Sequence, residues 1–522
     1  MSDQAIITRL AVAAQRHPDR PMVTIGRETW SYSDVWGIAR RTASAIVQRG
    51  RNPLVAFFCD RDETAYISVL AILAAGRGYV VLSPKQPNQR IRHIVAATGV
   101  DCILVGKGME ERAAALFSNL SVHLICLGHD DKRLSMTQEC VTLRGHLLDH
   151  DPIDPVAVPA HSIAYLLFTS GSTGVPKGVP VSNGNLCAYV DYITQRYAYC
   201  ETDVHSQTFE LTFDLSAHDM MCAWSTGGRL VRFSGAELIA PAGVVRKQGV
   251  TCWFSVPSLG SIMERSGGLK SGRLSSLRVS LFCGEAMPAK LAARWTEAAP
   301  DSVIENLYGP TEATIAFTHY RWDAARSEGE CRHGLVPIGQ AFPGQQTAVV
   351  DEANNLLSAP CKGMLLLSGS QVTAGYWNAP EITAEKYLEL PGVPGGPWYS
   401  TGDIVEVEPD GCIRFVGRLD SQIKYRGFRI ELLEVEGALR EAANTDLAVV
   451  VAWPIENHEV KGLTAAIGGP PGDWSAIAER MRNIVPDYMV PDRVRFFDEL
   501  PRNLSGKIDR KAILALLGPV SS

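Results

Sequence analysis

The twelve cysteines of this 522-residue chain include no Cys-x-x-Cys pair, and its histidines do not cluster at zinc-ligand spacing. A structural metal is therefore not implied, and the thiols read as reduced, core-filling side chains of a cytoplasmic protein. A basic excess is also missing. With 50 Lys and Arg against 56 Asp and Glu, the net charge is −6, which argues against nucleic acid as the main partner. No apolar run is long enough to span a bilayer, and Arg9, Arg16, Asp19 and Arg20 interrupt the N-terminus where a secretory signal would be apolar. Neither membrane nor export is expected. What remains is a chain too long for one ordinary core, with ample apolar content for two or more domains.

The first stretch that carries chemistry is Tyr165 to Val179. Ile163 to Phe168 is short, apolar and aromatic, as in an interior strand, and it stops at Thr169, Ser170, Gly171, Ser172, Thr173 and Gly174. Such a loop lets main-chain amides and small hydroxyls close on an anion, and Lys177 after Pro176 adds a positive charge. A phosphate is the expected guest. No Gly-Lys-Ser or Gly-Lys-Thr follows, so this is not a P-loop.

Around it the chain alternates strand and helix patterns. Residues 4 to 16 have helical spacing, residues 30 to 34 lead into a second helix to Val47, Leu54 to Cys59 reads as a strand, Ala65 to Ala75 as a helix, and Gly78 to Pro84 as a strand. That rhythm predicts an α/β layer architecture with a largely parallel sheet. Residues 141 to 161 mix Asp149, His150, Asp151 and Asp154 with three prolines and read as a solvated linker rather than a metal site.

Further motifs follow in order. Phe213-Asp214-Leu215-Ser216 places a carboxylate among apolar residues, as a helix N-cap, an ion-pair member, or a buried partner for an ammonium ion. Leu281 to Glu285 is a strand running into a glycine turn, and Asn306-Leu307-Tyr308-Gly309-Pro310-Thr311-Glu312 is another, projecting Thr311 and Glu312 at a strand end. Gly375-Tyr376-Trp377, Ser400-Thr401-Gly402-Asp403, Gly417 to Glu431 and Gly506-Lys507-Ile508-Asp509-Arg510-Lys511 complete the set.

Residues 169 to 178 match throughout the phosphate loop Thr-Ser-Gly-Ser-Thr-Gly-x-Pro-Lys-Gly, and with the later motifs the chain resembles the adenylate-forming superfamily of acyl-CoA synthetases, luciferases and peptide synthetase adenylation domains. The resemblance runs from about residue 30 to residue 511. It implies a large N-terminal domain of layered α/β subdomains (residues 1–417), a hinge (418–420) pivoting at Asp420, and a small mobile α+β C-terminal domain (421–522). ATP and Mg²⁺ are the implied cofactors. In nucleotide binding, residues 169–174, Lys177, Gly284, Glu285 and Gly309 would surround the phosphates and base, Asn306 would bond adenine, Tyr308 would stack on it, Asp403 would accept the ribose hydroxyls and Arg418 would reach the nucleotide. Thr311 would meet the α-phosphate, Glu312 would hold Mg²⁺, and Lys507 would bridge substrate carboxylate and phosphate, leaving the site when the small domain rotates for the thiol step.

Asp214 aligns with the carboxylate that binds the α-amino group in amino-acid-activating members. The family's pocket positions become Asp214, Leu215, His218, Phe254, Leu281, Cys283, Leu307, Ile315 and Ala316, an apolar lining for a small or medium uncharged side chain. The pattern resembles prolyl-adenylating enzymes, which makes L-proline the lead, with D-alanine, L-alanine and L-serine as alternatives; His218 departs from that pattern. Two other class readings are an acyl-CoA ligase for an aryl or fatty acid, which has no use for Asp214, and a silent scaffold, against which Lys177, Thr311, Glu312, Asp403 and Lys507 stand. Because little sequence follows Lys507, the expected partner is a separate peptidyl carrier protein with a phosphopantetheine arm, and a small helper protein is a further candidate. Asn183 stands where the family usually has His, and Gly363-Met364 where it has Gly-Glu.

Overall fold

The computed structural model describes residues 5–128, 140–142, 150–169, 176–419, 422–456, 459–502 and 508–518. Contacts divide the chain into two compact units, one of residues 1–84, 94–167 and 178–419, the other of residues 85–93, 168–177 and 420–522.

The larger unit is built on three sheets. The first has nine strands, ordered Gln340–Ala341, Thr318–Arg321, Val303–Tyr308, Val279–Phe282, Cys252–Ser255, Val204–Gln207, Arg229–Arg232, Pro21–Ile25 and Glu28–Ser31. Its middle, from Val303–Tyr308 to Pro21–Ile25, is parallel, and the remaining edge strands are antiparallel. The second sheet has seven strands, six of them parallel, in the order Cys140–Thr142, His123–Cys126, Cys102–Val105, Leu54–Phe58, Gly78–Leu82 and Ile163–Thr169, with Lys177–Ser182 at the edge. Strands Leu54–Phe58 and Gly78–Leu82 are buried along their whole length, as parallel strands covered on both faces must be.

Helices Glu63–Ala74 and Leu215–Ser225 are apolar nearly all round and almost wholly buried, so each packs on every side. One core takes in residues of both parallel sheets together with these helices and Ile6–Arg16, Tyr32–Arg49 and Asn183–Arg196. The entry into Tyr32–Arg49 is fixed by a capping box, Ser31 Oγ accepting Asp34 N–H at 3.1 Å while Asp34 accepts Ser31 N–H at 3.0 Å. The third sheet is antiparallel, with Gln346–Val350, Cys361–Ser368, Trp398–Val407 and Tyr387–Leu388 in order and Ile413–Arg418 also on Trp398–Val407. Tyr308, Phe317, Leu365, Leu367, Val405 and Ile413 form the core that ties it to the end of the nine-stranded sheet.

The segment expected to be a solvated linker runs from Asp151 to Pro159 without helix or strand, half-buried to exposed, and is tied to its neighbours at a few points. Val156 N–H donates to Ala74 O at 2.9 Å, Arg40 Nε to Ile153 O at 2.8 Å, and Arg40 pairs with Asp154 at 2.7 Å. Asp154 is thereby spent on an arginine. Residues 140–142 form an edge strand.

In the smaller unit, hairpin Gln422–Tyr425 and Phe428–Glu431 turns through Arg426 and Gly427, both at positive φ (53° and 81°), the backbone of a two-residue hairpin loop. Helix Leu432–Ala443 follows, then a sheet of Ala448–Ala452, Leu463–Gly468 and Arg493–Phe497 with helix Trp474–Arg482. Val435, Leu439, Val450, Ala465 and Met481 make its core. This is an α+β arrangement. Among the described residues no helix is long and apolar enough to cross a membrane, and the cysteines are thiols in no disulfide.

Candidate nucleotide and substrate site

The parallel strands Cys252–Ser255, Val279–Phe282 and Val303–Tyr308 lie side by side in register, Phe254 beside Leu281 beside Glu305. Their carboxyl ends carry the motifs, where open α/β sheets hold ligands. Two glycines are needed there: Gly284 has φ +92°, and a Cβ on Gly309 would lie 2.6 Å from Ala316 Cα.

Asn306 ends up buried, its amide donating to Pro337 O at 2.9 Å while Oδ1 is enclosed without a partner. An orphaned buried acceptor costs free energy until a donor arrives, and an exocyclic amino group such as that of adenine would satisfy it. Tyr308, two residues on, donates its hydroxyl to Asp403 Oδ2, and Arg418 pairs with Asp403 Oδ1 and bonds Thr401 O at 3.1 Å. The two oxygens of Asp403, expected to take ribose hydroxyls, thus rest on protein donors. Glu285 accepts Ser258 N–H at 2.8 Å, at the start of helix Pro257–Arg265.

After Pro310, Thr311–Ala313 forms a single tight turn. Glu312 is buried, with Oε1 accepting the Tyr376 hydroxyl at 2.7 Å. It is a hard oxygen donor of the kind that Mg²⁺ takes, which fits the expected metal role. Thr314 and Ile315 then adopt left-handed φ of 57° and 72°, a strained backbone for β-branched residues. The surroundings hold it: Thr314 Oγ1 donates to Gln371 O at 2.6 Å, Gln371 Nε2 to Ala316 O at 2.7 Å, and Ile315 N–H to Asp214 Oδ2 at 3.2 Å.

Asp214 stands at the N-cap position of helix Leu215–Ser225 but makes no side-chain cap there. Of the three readings its sequence allowed, the structure favours the buried carboxylate. Burial drives its pKa up to about 6, opposed by bonds from Ile315 N–H and the Thr311 hydroxyl and reinforced by nearby Glu312. His218 lies one turn further along the same helix, its ring 4.2 Å from Phe254 and its Nδ1 2.7 Å from the Tyr189 hydroxyl. Leu215, Phe254, Leu281, Cys283, Leu307, Ile315 and Ala316 are all buried members of the larger core. Ser170, Gly171, Ser172, Thr173, Gly174, Asp420 and Lys507 lie outside the described residues; Thr169 ends its strand, and Lys177 begins the next, buried.

Asn183 has a structural post. Its Oδ1 accepts Ile6 N–H at 3.2 Å and its amide donates to Ser162 O at 3.0 Å, linking the starts of two helices and a strand. Sequence reading missed Gln371, Tyr376 as a partner of Glu312, and Tyr189. Tyr376 lies in a motif that was visible, whereas Gln371 and Tyr189 carry no local signal. Away from this site, Asp203, His205 and Cys252 bring ligand atoms within 4.8 Å of one another, but Asp203 is committed to Arg278 and Thr251, and that guanidinium already supplies the positive charge.

Buried Asn306 and Glu312 at the end of strand Val303–Tyr308, with buried Asp403 on Trp398–Val407 bonded to Tyr308, fit a ligand site at the strand ends of an open α/β sheet. Residues 10–377 match the AMP-binding enzyme family, and the chain belongs to that family, the adenylate-forming enzymes. It is 30% identical over 96% of its length to bacitracin synthase 3 of Bacillus licheniformis, spanning only 8% of that much longer protein. Among solved structures it is similar to the Vibrio cholerae adenylation domain AlmE in complex with glycyl-adenosine-5'-phosphate, with TM-score 0.86, 27% identity and 99% and 98% of the two chains covered. It is also similar to IdnL7, with TM-score 0.73, 32% identity and 99% of each chain covered.

Proposed function

We propose that the chain uses ATP to activate an uncharged small or medium amino acid as its aminoacyl adenylate, then passes the acyl group to the phosphopantetheine thiol of a carrier protein. The observation that carries this is Asp214, a buried carboxylate whose partners among the described residues, Ile315 N–H and the Thr311 hydroxyl, are neutral. An ammonium group is the ligand that would hold it ionised. A substrate carboxylate oxygen attacks the α-phosphorus, the bond to pyrophosphate breaks, and the mixed anhydride stays bound. Positioning and charge neutralisation dominate such a step. Asn306 and Asp403 orient the nucleoside, Thr311 meets the α-phosphate, Asp214 anchors the amino group, and Lys507 bridges the two substrates. Glu312 would hold Mg²⁺, which supplies charge neutralisation on phosphate oxygens when bound. In the second step the thiol sulfur bonds the acyl carbon and AMP leaves with the electron pair.

The resemblance of these positions to prolyl-adenylating enzymes makes L-proline the lead, with D-alanine, L-alanine and L-serine as alternatives. The glycyl adenylate bound by AlmE supports the smaller ones. Amino-acid-dependent exchange of labelled pyrophosphate into ATP, run across the proteinogenic amino acids and D-alanine, tests the reading: a signal is expected and should vanish in Asp214→Ala. Silence with every amino acid, together with CoA-dependent AMP release from an aryl or fatty acid, would replace it with an acyl-CoA ligase.

A further inference from the structure

We infer that Gln371 is a positioning residue for amino-acid activation, its side-chain amide holding residues 313–316 in the conformation that turns the Ile315 N–H onto Asp214. This rests on the amino-acid reading above and adds to it a residue that acts through the main chain of a loop.

That loop is strained. Ala316 N–H donates to Thr314 O at 2.9 Å around Ile315 at φ 72°, the positive-φ form of the γ-turn, which is rare and unfavourable for a β-branched side chain. Thr314 before it is also left-handed, at φ 57°. With this backbone the carbonyls of Ala313, Thr314 and Ala316 converge, and Gln371 Nε2 stands where they meet, 2.7 Å from Ala316 O, 3.4 Å from Thr314 O and 3.5 Å from Ala313 O. Three acceptors facing one point need a donor with more than one hydrogen, which an amide NH₂ is. The opposite end of the same amide, Oε1, is enclosed without a partner. A buried acceptor with no donor is destabilising, so an apolar side chain of equal length would fill the space at less cost. What Gln371 supplies beyond filling is its donation to the loop.

Gln371 is itself fixed from both sides. Asn185 Nδ2 donates to the two flanking carbonyls, Ser370 O at 2.8 Å and Val372 O at 3.2 Å, and Asn185 is anchored by the capping box that it forms with Ser182. Gln345 Oε1 accepts the Gln371 N–H at 3.3 Å, and the Thr314 hydroxyl donates to Gln371 O at 2.6 Å. Gln371, Ala313, Thr314 and Ala316 are 0% exposed, so bulk water does not reach the three carbonyls. Without the amide they lose a shared donor, the γ-turn relaxes, and the Ile315 N–H leaves Asp214. Glu312 is braced separately, by the Tyr376 hydroxyl and by Thr373 N–H on its carbonyl at 2.9 Å, while Asn306 and Asp403 lie outside the loop. The loss therefore falls on the amino acid more than on ATP.

The experiment compares the wild type with Gln371→Met, which keeps the length and loses the donor, and Thr314→Val, which keeps the shape and loses the hydroxyl bond to Gln371 O. Nitrogen-15 labelling of isoleucine reads amide hydrogen exchange in the ligand-free protein. Ile315 should exchange about tenfold faster or more in Gln371→Met and less so in Thr314→Val, with Ile103, in strand Cys102–Val105, unchanged. In pyrophosphate exchange with the best amino acid, KM for that amino acid should rise about 10- to 100-fold in Gln371→Met while KM for ATP stays within about twofold. Thr314→Val should show a smaller rise of the same kind, and it decides alone on both readouts if Gln371→Met does not fold. Ile103 speeding up together with Ile315 while kcat falls and both KM values hold would make Gln371 a residue of general stability and overturn the inference. An unchanged Ile315 amide and amino-acid KM in both variants would overturn it too. Pyrophosphate exchange with no amino acid would remove the activation reading instead, the Ile315 amide still deciding whether Gln371 holds the loop.

Discussion

The main-chain N–H of Ile315 donates to Asp214 Oδ2 across 3.2 Å, joining a residue held at φ 72° to a buried carboxylate 101 positions earlier in the chain. The strained loop and the acid hold each other, and Thr311 bonds the same carboxylate. The group expected to take the amino acid and the group expected to meet the α-phosphate are thereby mechanically linked.

One consequence is a dependence on pH. The folded pKa of Asp214, about 6, lies above its unfolded value, so the folded chain binds this proton more tightly. The stability it contributes is full below the unfolded pKa and is lost as pH rises through about 6. At neutral pH the ionised group costs up to roughly 3 kcal/mol. Asp214→Asn should therefore raise the ligand-free urea midpoint at pH 7.5, the gain shrinking toward acid pH. In the wild type, kcat/KM for the amino acid should fall about tenfold per pH unit below the same pKa. Equal midpoints at pH 7.5 and a flat acid limb would contradict this.

Asp403 should control nucleotide affinity. Its two oxygens take Tyr308 and Arg418, and both side chains of the ion pair are nearly buried. Asp403→Ala should raise KM for ATP by about 10- to 100-fold, a loss of roughly 1.4 to 2.8 kcal/mol. Tyr308→Phe should raise it less. Saturation curves in ATP at fixed amino acid would decide, and an unchanged KM in Asp403→Ala would remove this residue from the site.

Glu312→Gln should shift Mg²⁺ dependence. Half-saturation of exchange should move up by about tenfold, with much of the rate recovered at high Mg²⁺, and chelation should abolish exchange in both proteins. Tyr376→Phe, which removes the 2.7 Å bond to Glu312 Oε1, should produce a smaller shift in the same direction. A Mg²⁺ titration is sufficient.

Glu305 should matter for stability rather than selectivity. It is fully buried and faces Arg196, Arg321, the Tyr197 hydroxyl and His319, whose guanidinium and hydroxyl bonds hold its pKa below the usual range against burial. Glu305→Ala leaves Arg196 without its carboxylate and should cost about 3–5 kcal/mol. Chemical denaturation should show it, while the rank order of amino acids in pyrophosphate exchange should not change.

Much of this protein was legible in its chain. Local chemistry fixed the end of the strand at Thr169, the turn at Gly309 and the entry through residues 30 to 34 into a helix, because each depends on neighbours a few residues away. The Asn306-to-Glu312 stretch read by itself as a strand end and a turn; only the family resemblance made it a nucleotide site. Tertiary structure decided the rest. Whether Asp214 would cap a helix or turn to other partners depended on Ile315 and Thr311, about a hundred residues away, which bond it where the loop takes up left-handed backbone. The posts of Gln371, Tyr376 and Tyr189 likewise follow from long-range packing, which leaves no local pattern to read.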